Sequence, residues 1–329
     1  MKKVSFVLFP EFQMLAYVLA TETLRIANKC AGRSEIVWQT RTATNTPVQA
    51  SNGAMIAPDT LDWLGAPDAD LVVLCAGYSP LDYLTSRVRA YIARAAAEAR
   101  VLGGLDTGAI ILAELGLLNG SQAVLHHEAE AAFRERWPEI IIADKIFCLD
   151  KQRLTAAGGT ATGDAMLAWI ARDIDQELAE ATANGMIHGG PRSSETPQRH
   201  IRTADPALLQ MHQLIVDNIS DPLTVQDICT KLGLSQKQLR RRCCAAYQMT
   251  PSEYYRRRRL EAAHQLLVNS QLPVTQIALS CGFETVSSFS RAMHQYFGSP
   301  PKQIRKRYLG SGQTITCFNA HNDNQGRCL

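Results

Sequence analysis

Asp106 sits at the turn of Gly103-Gly104-Leu105-Asp106-Thr107-Gly108-Ala109, where a short apolar run passes through small residues into a helical pattern. Glycines on both sides let a strand turn sharply into a helix and hold one side chain at the edge of a sheet. A carboxylate held there has three possible uses. It can anchor a small ligand through charge and hydrogen bonds. It can act as a nucleophile if a general base is near, with His126 and His127 as candidates. It can also cap the following helix through the backbone N–H groups of Thr107 or Gly108. Thiolate chemistry at this turn is excluded, because the position is not cysteine and Cys75 lies on another strand. Phe9, Glu11 and Phe12 follow one apolar run and Gly77-Tyr78 another. Loops at the carboxyl ends of parallel strands open on one crevice. Phe9, Glu11, Phe12, Tyr78, Asp106, Thr107, His126 and His127 are therefore candidates for a ligand site. Two carboxylates at one sheet edge suit a cationic ligand. Taken singly, each aromatic is better explained by core packing.

A second chemistry lies in the last third of the chain. Leu223 to Pro251 and Pro273 to Pro301 share one plan: a short helical pattern, a turn glycine, a longer helical pattern and a proline stop. The turn glycines Gly233 and Gly282 are 49 residues apart. A repeated helix-turn-helix with basic side chains implies a grip on two successive faces of duplex DNA. In the first unit Ser235, Gln236, Lys237, Gln238, Arg240 and Arg241 are candidate DNA contacts, since Gln pairs with adenine and Lys or Arg with guanine. In the second unit Thr285, Val286, Ser287, Ser288 and Arg291 are left for DNA. The first set is read as the base reader and the second as a phosphate clamp. Between the units, Pro251–Val268 reads as one long helix that fixes their spacing. It contains Arg256-Arg257-Arg258-Arg259, which cannot all point at one partner from a helix. At least one or two belong to a solvated face, and Arg259, before the core Leu260, is read as structural.

The elements needed to place these residues fall into two regions. Residues 1–190 carry 16 Lys/Arg against 22 Asp/Glu, whereas residues 200–310 carry 15 against 7. Only the second region has the charge to meet a polyanion. Val4–Phe9, Leu71–Cys75 and Val101–Leu105 read as buried strands. Met14–Ala27, Leu84–Arg100, Gly108–Leu115 and Ala161–Ala179 read as helices. This alternation argues for an α/β domain with a parallel sheet flanked by helices over residues 1–183. Residues 184–203 are rich in Gly, Pro, Ser and Thr and read as a linker. Residues 204–309 read as an all-α domain, and 310–329 as a polar, disordered tail.

Several classes are excluded. The basic start MKKVSFVLFPEF is interrupted by Pro10 and Glu11 and lacks a cleavage site, so it reads as a strand rather than a signal peptide. No apolar run approaches a membrane span. The nine cysteines are scattered, with no Cys-x-x-Cys pair. A metal site is not expected, nor a cofactor, and reduced thiols in a cytoplasmic protein fit best.

The second region resembles the AraC/XylS family of bacterial transcriptional regulators. The resemblance rests on Leu234-Ser235, Leu239-Arg240, Thr250-Pro251, Arg259-Leu260, Ile277-Ala278, Cys281-Gly282-Phe283, Phe289-Ser290-Arg291 and Gly298 to Pro301. Gln248 stands where the first unit usually has glycine, and Met293 replaces a common aromatic. The first region is similar to the class-I glutamine-amidotransferase-like superfamily, most of all to the sensor half of GlxA-type regulators. The enzymes of that superfamily carry cysteine at the elbow. Asp-Thr-Gly with His126-His127-Glu128 resembles a subgroup linked to quaternary amines and amino compounds, in which His127 is usually tryptophan, and on that resemblance Glu128 joins the candidate ligand site. The resemblance implies a regulator with a small amine or amino-acid-like effector, operator DNA and RNA polymerase as partners, and a homodimer that activates a catabolic operon. The alternative from a different class is an Asp-nucleophile or amidase-like hydrolase with an accessory DNA-binding tail.

Overall fold

The buried strands are the apolar runs of the first region, and they stack side by side. In this computed structural model the described residues are 1–64, 68–98, 101–150, 152–198 and 205–309. The tail expected over 310–329 lies outside them. The chain divides into two units, Met1–Gln198 and Arg199–Leu329.

The first unit runs β1 (Lys2–Leu8), α1 (Met14–Ala31), β2 (Ile36–Thr42), β3 (Val48–Gln49), β4 (Met55–Ile56), β5 (Leu71–Ala76), α2 (Ser86–Ala97), β6 (Val101–Asp106), α3 (Gly108–Glu114), β7 (Gln122–Ala123), α4 (Glu130–Arg136), β8 (Ile141–Ile142), β9 (Phe147–Leu149), β10 (Arg153–Ala156), α5 (Ala161–Asp173) and α6 (Gln176–Gly185). The main sheet has the order β2-β1-β5-β6-β10-β9, parallel except for β9, which pairs antiparallel with β10 at the edge. Strands covered on both faces need apolar residues at every position. Accordingly, all six residues of β5 and of β6 are buried. Alternation sends Phe6 and Leu8 into one core with Trp169, and Val7 into the other with Tyr91.

Two expectations need correction. The helix expected over Ala161–Ala179 breaks into α5 and α6. Asp175 opens α6 by accepting a hydrogen bond from Leu178 N–H (2.7 Å), which a mid-helix residue could not do. The helix expected from Leu84 begins at Ser86, capped by Thr85. β2 and the edge strand β9 were not expected at all.

The second unit is helical: α7 (Pro206–Asp217), α8 (Val225–Leu232), α9 (Gln236–Tyr247), α10 (Pro251–Asn269), α11 (Val274–Ser280), α12 (Val286–Phe297) and α13 (Pro301–Leu309). Its local signals are strong. Thr224, Ser235 and Thr250 each form a reciprocal capping box with the residue three places on. Leu208, Met211 and Ile215 on α7, with Leu239 and Cys243 on α9, bury together as the core beneath the first helix-turn-helix, as their spacing predicts. Pro301, read as a stop, also starts α13, where its missing N–H costs nothing.

Candidate functional site

Asp106 closes β6 with a positive φ of 59°, a conformation tolerated best by Asn, Asp and Gly. The flanking glycines are required by close approach. A Cβ on Gly104 would lie 2.6 Å from Ala109 N, and one on Gly108 would lie 2.2 Å from Leu74 O. The start of α3 is thus pressed onto the ends of β5 and β6, and the turn must present the Asp106 carboxyl at the sheet edge.

Four segments meet around it. After β1, Glu11 takes φ 60°, and its carbonyl packs where a Cβ on Gly77 would be, 1.9 Å away. After β5, Gly77 O accepts a hydrogen bond from Thr107 Oγ1 (2.5 Å). After β10, Gly158 lies against Asp106, with a would-be Cβ 3.0 Å from Asp106 Cβ, while Gly159 N–H donates to Gln13 Oε1. After β7, His126 N–H faces Asp106 O at 3.4 Å. In that loop His126 Nδ1 is 3.8 Å from a Glu128 carboxylate oxygen, and the His126 and His127 rings lie 4.4 Å apart.

The electrostatics are unusual. Burial, and secondarily the charge of Glu128, push the Asp106 carboxyl up to about 8. A carboxyl in that range is mostly protonated at neutral pH and ionises readily when a cation arrives. Cys75, one residue before the end of β5, is buried, and burial drives its thiol strongly upward, with Asp106 adding to the effect. It is an inert core thiol.

The structure sorts the expected ligand residues. Asp106, Thr107, His126, His127, Glu128 and Glu11 come together at the sheet edge. Tyr78 is exposed on the loop after β5. Phe9 and Phe12 do not line an open crevice: both are fully buried, Phe9 in one core and Phe12 in the other, edge-on to Tyr17. The chain end of β1 sends its two rings to opposite faces of the sheet. Gln13 and Gly158 were missed, and Gly77 was named only for its place in the loop before Tyr78. Their roles are backbone approach and a side-chain clamp, which leave no periodic signal.

In the second unit, Lys237, Arg240 and Arg241 are exposed on α9, as is Gln236, whose amide donates to Gln226 Oε1 (2.8 Å). Ser235 and Gln238 are differently used. Ser235 N–H and O–H both donate to Gln238 Oε1 (2.9 and 3.1 Å), so that oxygen is committed to the cap rather than open to a base. On α12, Thr285 likewise caps, accepting from Ser288 N–H (3.1 Å), and Ser288 Oγ donates to Thr285 O (2.9 Å). Val286, Ser287 and Arg291 remain exposed. The arginine run on α10 is spent within the fold. Arg256 reaches Gln295, Arg257 and Arg258 pair with Glu261, and Arg259 donates to the carbonyls of Cys281 and Gly282. Arg259 also stacks 4.3 Å from the Phe283 ring. Tyr255, four residues earlier on α10, donates to Asn218 O (2.6 Å) and accepts from Leu223 N–H (3.1 Å). One helix therefore ties both helix-turn-helix units at fixed positions.

Residues 2–172 match the DJ-1/PfpI family, and residues 228–307 match a helix-turn-helix domain. The HTH-type transcriptional regulator CdhR of Pseudomonas aeruginosa is 34% identical over 307 residues, 91% of this chain and 90% of the relative. GbdR, an HTH-type transcriptional regulator of the same species, is 31% identical over 310 residues, 93% of this chain and 84% of the relative. The chain belongs to the AraC-family regulators with a DJ-1/PfpI domain. A solved AraC family transcriptional regulator from Pseudomonas putida superposes with a TM-score of 0.52 at 26% identity, covering 56% of this chain and all of that one. This DJ-1/PfpI-type regulator is a DNA-binding protein and not an enzyme. Its relatives are regulators, which leaves the hydrolase reading without support. No helix among the described residues is long and apolar enough to cross a membrane.

Proposed function

We propose that the first unit is an effector sensor for a small cationic amine or amino-acid-like molecule, held at Asp106. Occupancy shifts the population of dimer geometries that set α9 and α12 on operator DNA. The protein works in the cytoplasm as a homodimer on repeated half-sites. It contacts RNA polymerase there and activates a catabolic operon. Lys237, Arg240 and Arg241, with Gln236, read bases from α9. Ser287 and Arg291, with Val286 beside them, clamp the backbone from α12. Ser235, Gln238, Thr285 and Ser288 hold the two helix starts in the geometry that contact needs.

One observation carries the sensor reading. The position of an elbow nucleophile is occupied by a buried carboxyl on a left-handed turn, pushed up to about 8 and flanked by Glu128. A cation entering this place relieves the repulsion between the two acids and ionises Asp106, so its binding is favoured over that of a neutral isostere. Glu11 and the His126–His127 pair supply further polar contacts, and Tyr78 an exposed ring.

The test starts by selecting tight duplexes from random-sequence DNA with the full chain. Affinity for the selected operator is then measured with and without a panel of quaternary amines, primary amines and amino acids. The proposal expects at least one cationic compound to change that affinity, and Asp106→Asn to remove the change. An affinity indifferent to every compound supports a constitutive DNA binder instead.

A further inference from the structure

The segment after α6 has the composition of a linker, yet its residues are held at both ends of the site around Asp106. Asp164, in the first turn of α5, has a side chain with no solvent exposure. A buried carboxylate is costly unless it is paired and hydrogen-bonded. Here the partners come from the linker. Arg192 donates its backbone N–H to Asp164 Oδ1 (2.8 Å), and its guanidinium donates to Oδ2 through Nε (3.0 Å) and Nη2 (2.6 Å). His188 Nε2 lies 3.3 Å from the same carboxylate. Arg192 Nη2 also donates to Thr160 Oγ1 (3.0 Å), next to the Gly158-Gly159 turn that packs on Asp106. Six residues on, Gln198 grips the loop on the other side. Its Oε1 accepts from His127 N–H (3.0 Å) and its Nε2 donates to Leu125 O (2.9 Å), bracketing His126, whose N–H faces Asp106 O.

We infer that residues 186–198 are a working part of the ligand site: docked, they position the His126–Glu128 loop, and docking and loop geometry form one cooperative unit. Gln198 and Arg192 are its positioning residues. The inference builds on the sensor reading of Asp106 and adds how that site reaches the rest of the chain. A ligand that moves either the Gly158-Gly159 turn or the His126 loop changes the bonds that hold the linker. By linkage, a linker that undocks changes the site for the ligand. The coupling is built from side chains on a Gly- and Pro-rich stretch, so it can release without unfolding a helix or strand.

Hydrogen exchange of the full chain, read by mass spectrometry without any ligand, tests this. Arg192→Ala is expected to raise exchange roughly tenfold or more over 186–198, and also over residues 124–128 at the far anchor. Arg192→Lys keeps the charge but not the forked geometry, and should restore part of the protection in both segments together. Faster exchange confined to 186–198 would overturn the inference. If Arg192→Ala does not fold, Gln198→Ala runs the test from the other end. Exchange must then rise around Arg192 as well as at His127, and a purely local rise overturns the inference equally. Because no ligand enters, the result is independent of whether the crevice takes an amine.

Discussion

Asp106→Asn isolates the one buried acid on which the sensor reading depends. Asparagine keeps the shape and tolerates the left-handed turn at φ 59°, so the backbone should survive the change. The carboxyl it replaces moves from an ordinary value of 3.8 to about 8 in the folded chain. The sign follows from proton binding. Between those values the folded state holds a proton that the unfolded state has released, so stability falls as pH rises. The slope for one such group is about 1.4 kcal/mol per pH unit, or about 3 kcal/mol between pH 5 and pH 7. Urea denaturation of both proteins at several pH values measures it. The wild-type chain should lose stability relative to Asp106→Asn as pH rises, by on the order of 2–3 kcal/mol over that interval, levelling off above pH 8. Since burial is the larger cause and Glu128 the smaller, Glu128→Gln should recover only a minor part. Parallel stability profiles for wild type and Asp106→Asn would refute the picture of a buried, protonated carboxyl.

Other consequences are independent of that one. Affinity for a cationic amine should climb with pH up to about 8 and then level, with proton release below pH 8, as titration calorimetry in buffers of different ionisation enthalpy would show. Gln248 ends α9 at φ 57°, where the second helix-turn-helix unit uses Gly298 at φ 71°. Gln248→Gly should therefore raise stability by up to about 1 kcal/mol in thermal or urea unfolding, and a loss would show that its side chain matters more than its backbone. Arg259→Ala removes the bonds to Cys281 and Gly282 and the stack on Phe283. It should cost about 2–3 kcal/mol, whereas Arg256→Ala, held by one 3.3 Å bond to Gln295, should cost under about 1 kcal/mol. Arg240→Ala should weaken selected-operator binding by about 1–3 kcal/mol with altered preference at one position, and an unchanged footprint removes Arg240 from the readout.

The residues readable in advance were those whose signal is local. The Gly104-x-Asp106-x-Gly108 turn announces its own geometry within five residues and took the expected form, whereas Ser235 and Gln238, read as DNA contacts, are joined in a cap. What stayed hidden depends on distant partners. β2 reads Ile-Val-Trp-Gln-Thr-Arg-Thr, with polar residues on a strand whose burial is decided by Ser5 and Tyr91. Arg41 Nη1 donates to Ser5 Oγ, and Tyr91 OH donates to the same oxygen. The burial of Phe9 and Phe12 on opposite faces follows from where β1 ends, which aromaticity alone does not reveal. The 186–198 stretch looked like free linker because Gly, Pro and Ser lack periodicity. The fact that Arg192 pairs with a buried Asp164, 28 residues back, is invisible to any local pattern. In the arginine run, helix geometry already showed that four guanidinium groups could not share a target. It did not show that all four would be engaged within the fold.

Thermal-shift titration at pH 8.5 of the wild-type chain and Asp106→Asn, with matched cationic and neutral compounds, tests the central claim most directly. A ligand that binds only the folded state raises its melting temperature in a saturable way. The account predicts such a rise for a cationic amine with wild type, its loss in Asp106→Asn, and no rise with the neutral isostere. Equal stabilisation of both proteins, or a preference for the neutral compound, would contradict it.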